Sequence, residues 1–200
     1  MKIDWYKHYL EKGKLVLTKE TLGENLKQDK PFLDILRKYV PARSKILEAG
    51  CGLGRTCISM SIKSYRVTAI DIDDRMLSLA QMSAKNCSQK IAFKKSDFFN
   101  LYKILKKNSF DCITHQGVLE HYSIKQIRNA LNTQLKISPL VIFSVPIDSP
   151  YNKKYFHDNI YRNLWNEIFW IKSILKIFDI RYHKIARDRK DNLIVVLKRK

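Results

Sequence analysis

Short runs of apolar and β-branched residues alternate with longer amphipathic stretches through most of this 200-residue chain. Runs at 45–48, 66–72, 91–96, 110–114 and 140–145 have the length and composition of strands. Between them, 55–63, 73–87 and 123–137 carry apolar residues at helical spacing and read as crossover helices. Asp73 and Asp74 open the second of these, where acids suit the positive end of the helix dipole. Strands alternating with helices predict a parallel sheet covered on both faces. Ahead of the first strand a helix is expected over 30–39, stopped by Pro41. After Pro146 a polar, aromatic connection runs from 147 to 163, too long for a simple crossover turn. A helix over 164–178 and strands at 179–187 and 193–198 follow, the two strands joined as a hairpin by the turn-like 188–192. On that helix Leu164, Ile168, Ile171, Leu175 and Phe178 form the stripe expected to face the core, with Trp165, Phe169 and Trp170 outside it. The expected architecture is α/β: seven strands in a mixed sheet, parallel except for an antiparallel C-terminal hairpin.

The first strand ends on Glu48 and breaks into three alternating glycines, Gly50, Gly52 and Gly54. Glycine is needed where a backbone turns tightly and a ligand lies against it. The helix that follows points free N–H groups the same way. A dinucleotide fingerprint wants its third glycine one place later, where this chain has Arg55. Pyrophosphate disfavours an acid such as Glu48 beside the loop, whereas a ligand with a cationic amino-acid end welcomes it. S-adenosylmethionine has that chemistry. A glycine-rich turn alone also serves as a structural loop or holds another nucleotide, so the next strands matter. The strand 66–72 brings Asp71 to about the spacing at which one carboxylate holds both ribose hydroxyls. The strand 91–96 is followed by Asp97, which suits an adenine amino group, and by Phe98, which suits the ring face.

The succession ILEAGCGLGR, AIDID, SDFF and FDCITHQGVLEH resembles the class I S-adenosylmethionine-dependent methyltransferases, in particular the small-molecule branch that includes the ubiquinone-biosynthesis enzymes. The resemblance lies between Lys45 and His121 and implies a Rossmann-like fold with helices on both faces of the sheet. It implies S-adenosyl-L-methionine as cofactor and S-adenosyl-L-homocysteine as product. On this pattern Glu48, Gly50 and Gly52 face the methionine end, Asp71 and Ile72 the ribose side, Asp97 and Phe98 the adenine, and His115 and Gln116 the region of the sulfonium. Thr114-His-Gln-Gly117 replaces the Asn- or Asp-Pro-Pro-aromatic tetrapeptide of the amino-directed nucleic-acid enzymes, which argues against methylation of a base. The implied reaction moves a methyl group to O, N or C of a small acceptor. If the acceptor must lose a proton early, His115 and, from the connection, His157 are the candidate bases; His121, beside Glu120, reads as structural.

Composition changes this picture little. The length suits one domain over 1–200: an N-terminal helical cap at 1–44, a cofactor-binding core at 45–146, and a substrate-side connection, helix and hairpin at 147–200. Cys51, Cys57, Cys87 and Cys112 contain no C-x-x-C pair, and no metal site is expected. The N-terminus lacks an apolar signal core and no stretch approaches a membrane span, so a cytoplasmic protein is expected. The formal net charge of +19 admits a nucleic-acid partner, but the basic residues are spread along the whole chain and read as solvated surface. The alternatives to a small-molecule enzyme are an RNA or protein methyltransferase using that surface, or a non-catalytic cofactor-binding subunit. Nothing in the sequence sets the oligomeric state.

Overall fold

The computed structural model describes residues 3–13, 16–103, 105–156, 158, 160–187 and 191–200. Its strands β1 (Lys45–Ala49), β2 (Arg66–Asp71), β3 (Ala92–Lys95), β4 (Cys112–Gln116), β5 (Leu140–Pro146), β6 (Asp179–Arg187) and β7 (Asp191–Lys198) form the seven-stranded mixed sheet that the patterning implied, and they lie in the order β3-β2-β1-β4-β5-β7-β6. The chain forms two compact units, 1–101 and 102–200.

In the first unit α1 (Trp5–Glu11) and α2 (Lys19–Tyr39) precede β1 (Lys45–Ala49), α3 (Arg55–Ile62), β2 (Arg66–Asp71), α4 (Asp74–Asn86) and β3 (Ala92–Lys95). β1 pairs in parallel with β2 from Lys45↔Arg66 to Ala49↔Ile70, and β2 pairs in parallel with β3. The strand alignment brings Ala49 and Asp71 to the same edge, which places the glycine loop beside Asp71. α2 corrects one expectation, since it starts at Lys19 and not at 30. Thr18 and Thr21 cap it reciprocally, and the chain runs through Pro31. A proline inside a helix removes one i→i−4 bond. Burial of Phe32, Leu33, Ile35 and Leu36 beyond it offsets that loss. The buried Asn25 amide donates to Ser59 Oγ (2.8 Å) and to the Arg55 carbonyl (3.2 Å), tying α2 to α3.

The second unit contains β4 (Cys112–Gln116), α5 (Ile124–Ile137), β5 (Leu140–Pro146), α6 (Pro150–Tyr155), α7 (Glu167–Phe169), β6 (Asp179–Arg187) and β7 (Asp191–Lys198). β4 and β5 are parallel, whereas β5–β7 and β6–β7 are antiparallel. The 147–163 connection is not wholly irregular: Ser149 caps α6 and Pro150 occupies its first turn, a position where proline costs no hydrogen bond.

The 164–178 helix is the larger correction. It is helical only from Glu167, and after α7 it winds as a π segment, Trp170–Ile174, closed by a Leu175 N–H to Trp170 carbonyl bond of 2.9 Å. An i→i+5 turn holds one extra residue, so Trp170, and not Ile171, lines up with the buried stripe residue Leu175, and the residues before the turn are rotated off the α-helical stripe. Ile168, expected in the core, is 67% exposed, and Trp170, expected outside it, is fully buried with Ile174 and Leu175. Trp170 packs near Phe143 of β5, with ring centroids 6.3 Å apart.

Candidate active site

The loop after β1 is built by backbone bonds to β2. Gly50 N–H and Cys51 N–H both donate to the Ile70 carbonyl, at 2.9 and 2.8 Å, and Gly54 N–H donates to the Cys51 carbonyl at 2.9 Å. Gly52 N–H donates to Asp71 Oδ2 at 2.9 Å. Gly54 caps α3 with φ +72°, and a Cβ there would lie 3.0 Å from Ala80 Cβ, so glycine is what lets α3 start against α4. Each of these four amides thus has an acceptor inside the protein. The loop offers none of them to a phosphate, and the side chain shown against it is the Asp71 carboxylate.

Asp71 closes this arrangement. Its Oδ1 accepts from Asp73 N–H at 3.1 Å while Oδ2 holds Gly52. Burial raises its pKa above the ordinary carboxylate value, opposed by these backbone donors. A carboxylate oxygen accepts more than one bond, so both oxygens retain capacity for hydroxyl donors. Ile72, next along the chain, is 49% exposed, an apolar surface beside the acid. Glu48 is buried at the end of β1. Asp97 is engaged by its own turn, Oδ1 accepting from Phe99 N–H (2.9 Å) and Oδ2 from the Asn100 amide (3.0 Å). Phe98 is buried, its ring centroid 4.2 Å from that of the half-buried Phe99.

In the second unit, Gln116 ends β4, and its Oε1 accepts from Ser144 Oγ at 3.1 Å. Gly117 turns away with φ +65°, its N–H on the Ser144 carbonyl. His115, expected near the chemistry, has no exposed surface. Its ring stacks on Phe143 at 5.3 Å, and Nε2 donates to Gln134 Oε1 at 3.2 Å. Burial drives its pKa down to about 4, partly opposed by the Gln134 bond, so the imidazole is neutral at physiological pH. A side chain without exposed surface does not meet an acceptor in this conformation. His121 Nδ1 donates to the Tyr161 carbonyl at 2.8 Å, and burial lowers its pKa to about 4 as well. Glu120 is buried beside it, with Oε1 3.6 Å from His121 Nε2. Asn163 holds the same turn, its N–H on the Glu120 carbonyl (2.8 Å) and its amide on the Tyr122 carbonyl (2.9 Å). His157 lies outside the described residues. Among the described residues no cluster of three or more His, Cys, Asp or Glu is arranged to hold a metal, and no helix is long and apolar enough to cross a membrane.

Residues 46–137 match the model of the methyltransferase domain family. Over that segment the chain is similar to a methyltransferase domain. The matched segment begins within β1 and ends with α5, so it takes in the glycine loop, Asp71 and the turn after β4. A ubiquinone biosynthesis O-methyltransferase of Dechloromonas aromatica (strain RCB) is 29% identical to the chain over 80 residues, 40% of this chain and 34% of that protein. An S-adenosyl-L-methionine-dependent Diels-Alderase of Talaromyces variabilis is 32% identical over 90 residues, 44% of this chain and 31% of that one. The chain spans about half the length, or less, of the curated relatives it matches. In fold, the chain is similar to magnesium protoporphyrin IX methyltransferase from Synechocystis PCC 6803, with a TM-score of 0.69 at 18% identity over 89% of this chain and 84% of that one.

The sequence reading missed Arg75 and Asp4, which join α1 to the start of α4. The only available signal was the Asp73-x-Arg75 spacing, which says nothing about a partner 71 residues earlier.

Proposed function

We propose that this chain binds S-adenosylmethionine at the carboxyl ends of β1 and β2 and directs its methyl group to O, N or C of a small-molecule acceptor. The observation that carries this reading is the fate of the loop amides. Gly50, Cys51, Gly52 and Gly54 donate inward, leaving a site bordered by Glu48 and Asp71 that suits a ligand with an ammonium and a ribose diol. Asp71 would accept from the ribose hydroxyls, relieving the burial of its charge, and the exposed Ile72 would cover one face of the adenine. Asp97 and Phe98 would border the adenine on the other strand end, and Glu48 would face the methionine ammonium. When bound, the cofactor supplies a methyl group activated by positive sulfur. The protein's part is then to hold the acceptor's lone pair in line and keep water out. His115 is assigned to the packing of its unit, and deprotonation is left to an acceptor already ionised or acidified by its surroundings.

Isothermal titration tests this reading. S-adenosylhomocysteine is expected to bind and NAD is not; heat from NAD with none from S-adenosylhomocysteine overturns it. The similarity to a Diels-Alderase favours a second reading, in which the cofactor is bound without methyl transfer. Release of S-adenosylhomocysteine from S-adenosylmethionine in the presence of acceptor pools separates the two.

A further inference from the structure

A continuous chain of polar contacts in the first unit runs from the glycine loop to the N-terminal helix. Gly52 N–H is held by Asp71, and Asp71 holds the N–H of Asp73. Asp73 caps α4, accepting from Arg75 N–H at 2.9 Å. The Arg75 guanidinium folds back on that cap, Nε to Asp73 Oδ1 at 3.0 Å and Nη2 to Oδ2 at 2.6 Å. The same Nη2 reaches Asp4 Oδ1 at 2.9 Å. Asp4 in turn caps α1, accepting from Lys7 N–H at 3.0 Å. One guanidinium therefore joins the caps of two helices, and it also lies over the Tyr6 ring, 4.8 Å from the centroid.

No residue of α1 is buried. The rings of Trp5, His8 and Tyr9 pack against one another, with centroids 5.5–6.3 Å apart. A seven-residue helix is too short to persist by its own hydrogen bonds, so α1 depends on what fastens it. The fastening that Arg75 supplies is exposed and ionic, which makes that contact weak and reversible.

We propose that Arg75 is a positioning residue: it fastens α1 to the cap that follows Asp71 and Ile72, so that occupation of the cofactor site and docking of α1 stabilise each other. The inference rests on the cofactor reading above. Hydroxyl donors on Asp71 order its carboxylate, and with it the Asp73 cap to which Arg75 is bound. A firmer cap presents the guanidinium to Asp4 in a fixed direction. The coupling is reciprocal by thermodynamic linkage, so loosening α1 weakens the cofactor.

The test compares wild type, Arg75→Ala and Asp4→Asn by titration with S-adenosylhomocysteine and by hydrogen exchange of residues 3–11. Asparagine still caps a helix, so Asp4→Asn removes the charge contact without removing the cap. Both variants are expected to bind S-adenosylhomocysteine roughly threefold to fivefold more weakly, the scale of one exposed ion pair. Their melting temperatures without ligand stay at the wild-type value, since the deleted contacts lie on the surface. The wild-type advantage shrinks as salt is raised, because exposed pairs are screened. Exchange in 3–11 slows on adding S-adenosylhomocysteine to wild type and not to Arg75→Ala. Wild-type affinity in both variants, or exchange in 3–11 indifferent to the ligand in wild type, overturns the coupling. If wild type itself does not bind S-adenosylhomocysteine, the cofactor reading fails. The fastening is then judged alone, by whether Arg75→Ala speeds exchange in 3–11 without ligand, and no change there overturns it too.

Discussion

Gly52 and Asp71 stand 19 residues apart in the chain, and the Gly52 amide lies 2.9 Å from an Asp71 carboxylate oxygen. That bond makes the loop after β1 and the end of β2 a single structure. It also points the Gly52 amide inward, toward the end of β2.

Asp71→Ala removes both the hydroxyl acceptor and the partner of Gly52 N–H. Binding of S-adenosylhomocysteine should weaken by roughly 1.5–3 kcal/mol, the scale of hydrogen bonds to a charged group. Asp71→Asn keeps one acceptor oxygen and should fall between the two. Calorimetry on the three proteins measures this; an Asp71→Ala variant with wild-type affinity would leave Asp71 a role in loop structure alone.

The glycines of the loop should differ in their tolerance of a methyl group. Gly54→Ala puts a Cβ 3.0 Å from Ala80 Cβ at φ +72°, and we expect about 2–3 kcal/mol of lost stability from overpacking added to left-handed strain. Gly52→Ala meets nothing closer than Met76 Cε at 4.0 Å, so only the backbone term remains, about 1–2 kcal/mol. Urea denaturation of each variant tests the order, and equal losses would contradict it.

His115 should make stability depend on pH in the acid range. Its folded pKa, about 4, lies below the ordinary 6.5, so the unfolded chain takes up the proton first on acidification. The neutral buried ring therefore contributes full stability above about pH 6.5, and this is lost progressively as pH falls toward 4. His121 is shifted the same way and acts in the same window. The His115 share is about 3 kcal/mol as an order of magnitude. His115→Phe keeps an aromatic face against Phe143 without a titrating group, so denaturation curves between pH 4 and 7 should be flatter for it, whatever its absolute stability. An unchanged slope would place the dependence elsewhere.

The π-wound segment sets a contrast between two neighbours. Trp170→Ala should cost about 3–5 kcal/mol, as for other fully buried large aromatic side chains. Ile168→Ser should stay within about 0.5 kcal/mol, since its side chain is largely in solvent. Guanidinium midpoints of the two variants decide this, and a costly Ile168→Ser would restore the regular helical stripe.

By itself the sequence determined what depends on near neighbours. Alternating strand and helix patterns set the α/β order, the Asp73 cap opened α4 where an acid suits the dipole, and the glycine run after β1 marked a loop needing left-handed backbone. The spacing from Gly52 to Asp71 was legible too, because a strand, a loop and one helix span it within a single parallel unit. Tertiary structure decided what depends on the surface opposite. α2 runs through Pro31 because its far half is buried, a gain that local propensity does not contain. Trp170 entered the core because one extra residue per turn rotated it there, and a periodicity count assumes a constant turn. His115 looked reactive as a residue type, but the packing of Gln134 and Phe143 over its ring made it a neutral interior group. The clasp from Arg75 to Asp4 joins residues 71 apart. Charge and spacing along the chain carry no information about such a meeting, because it is made only when two helix starts are brought together by the fold.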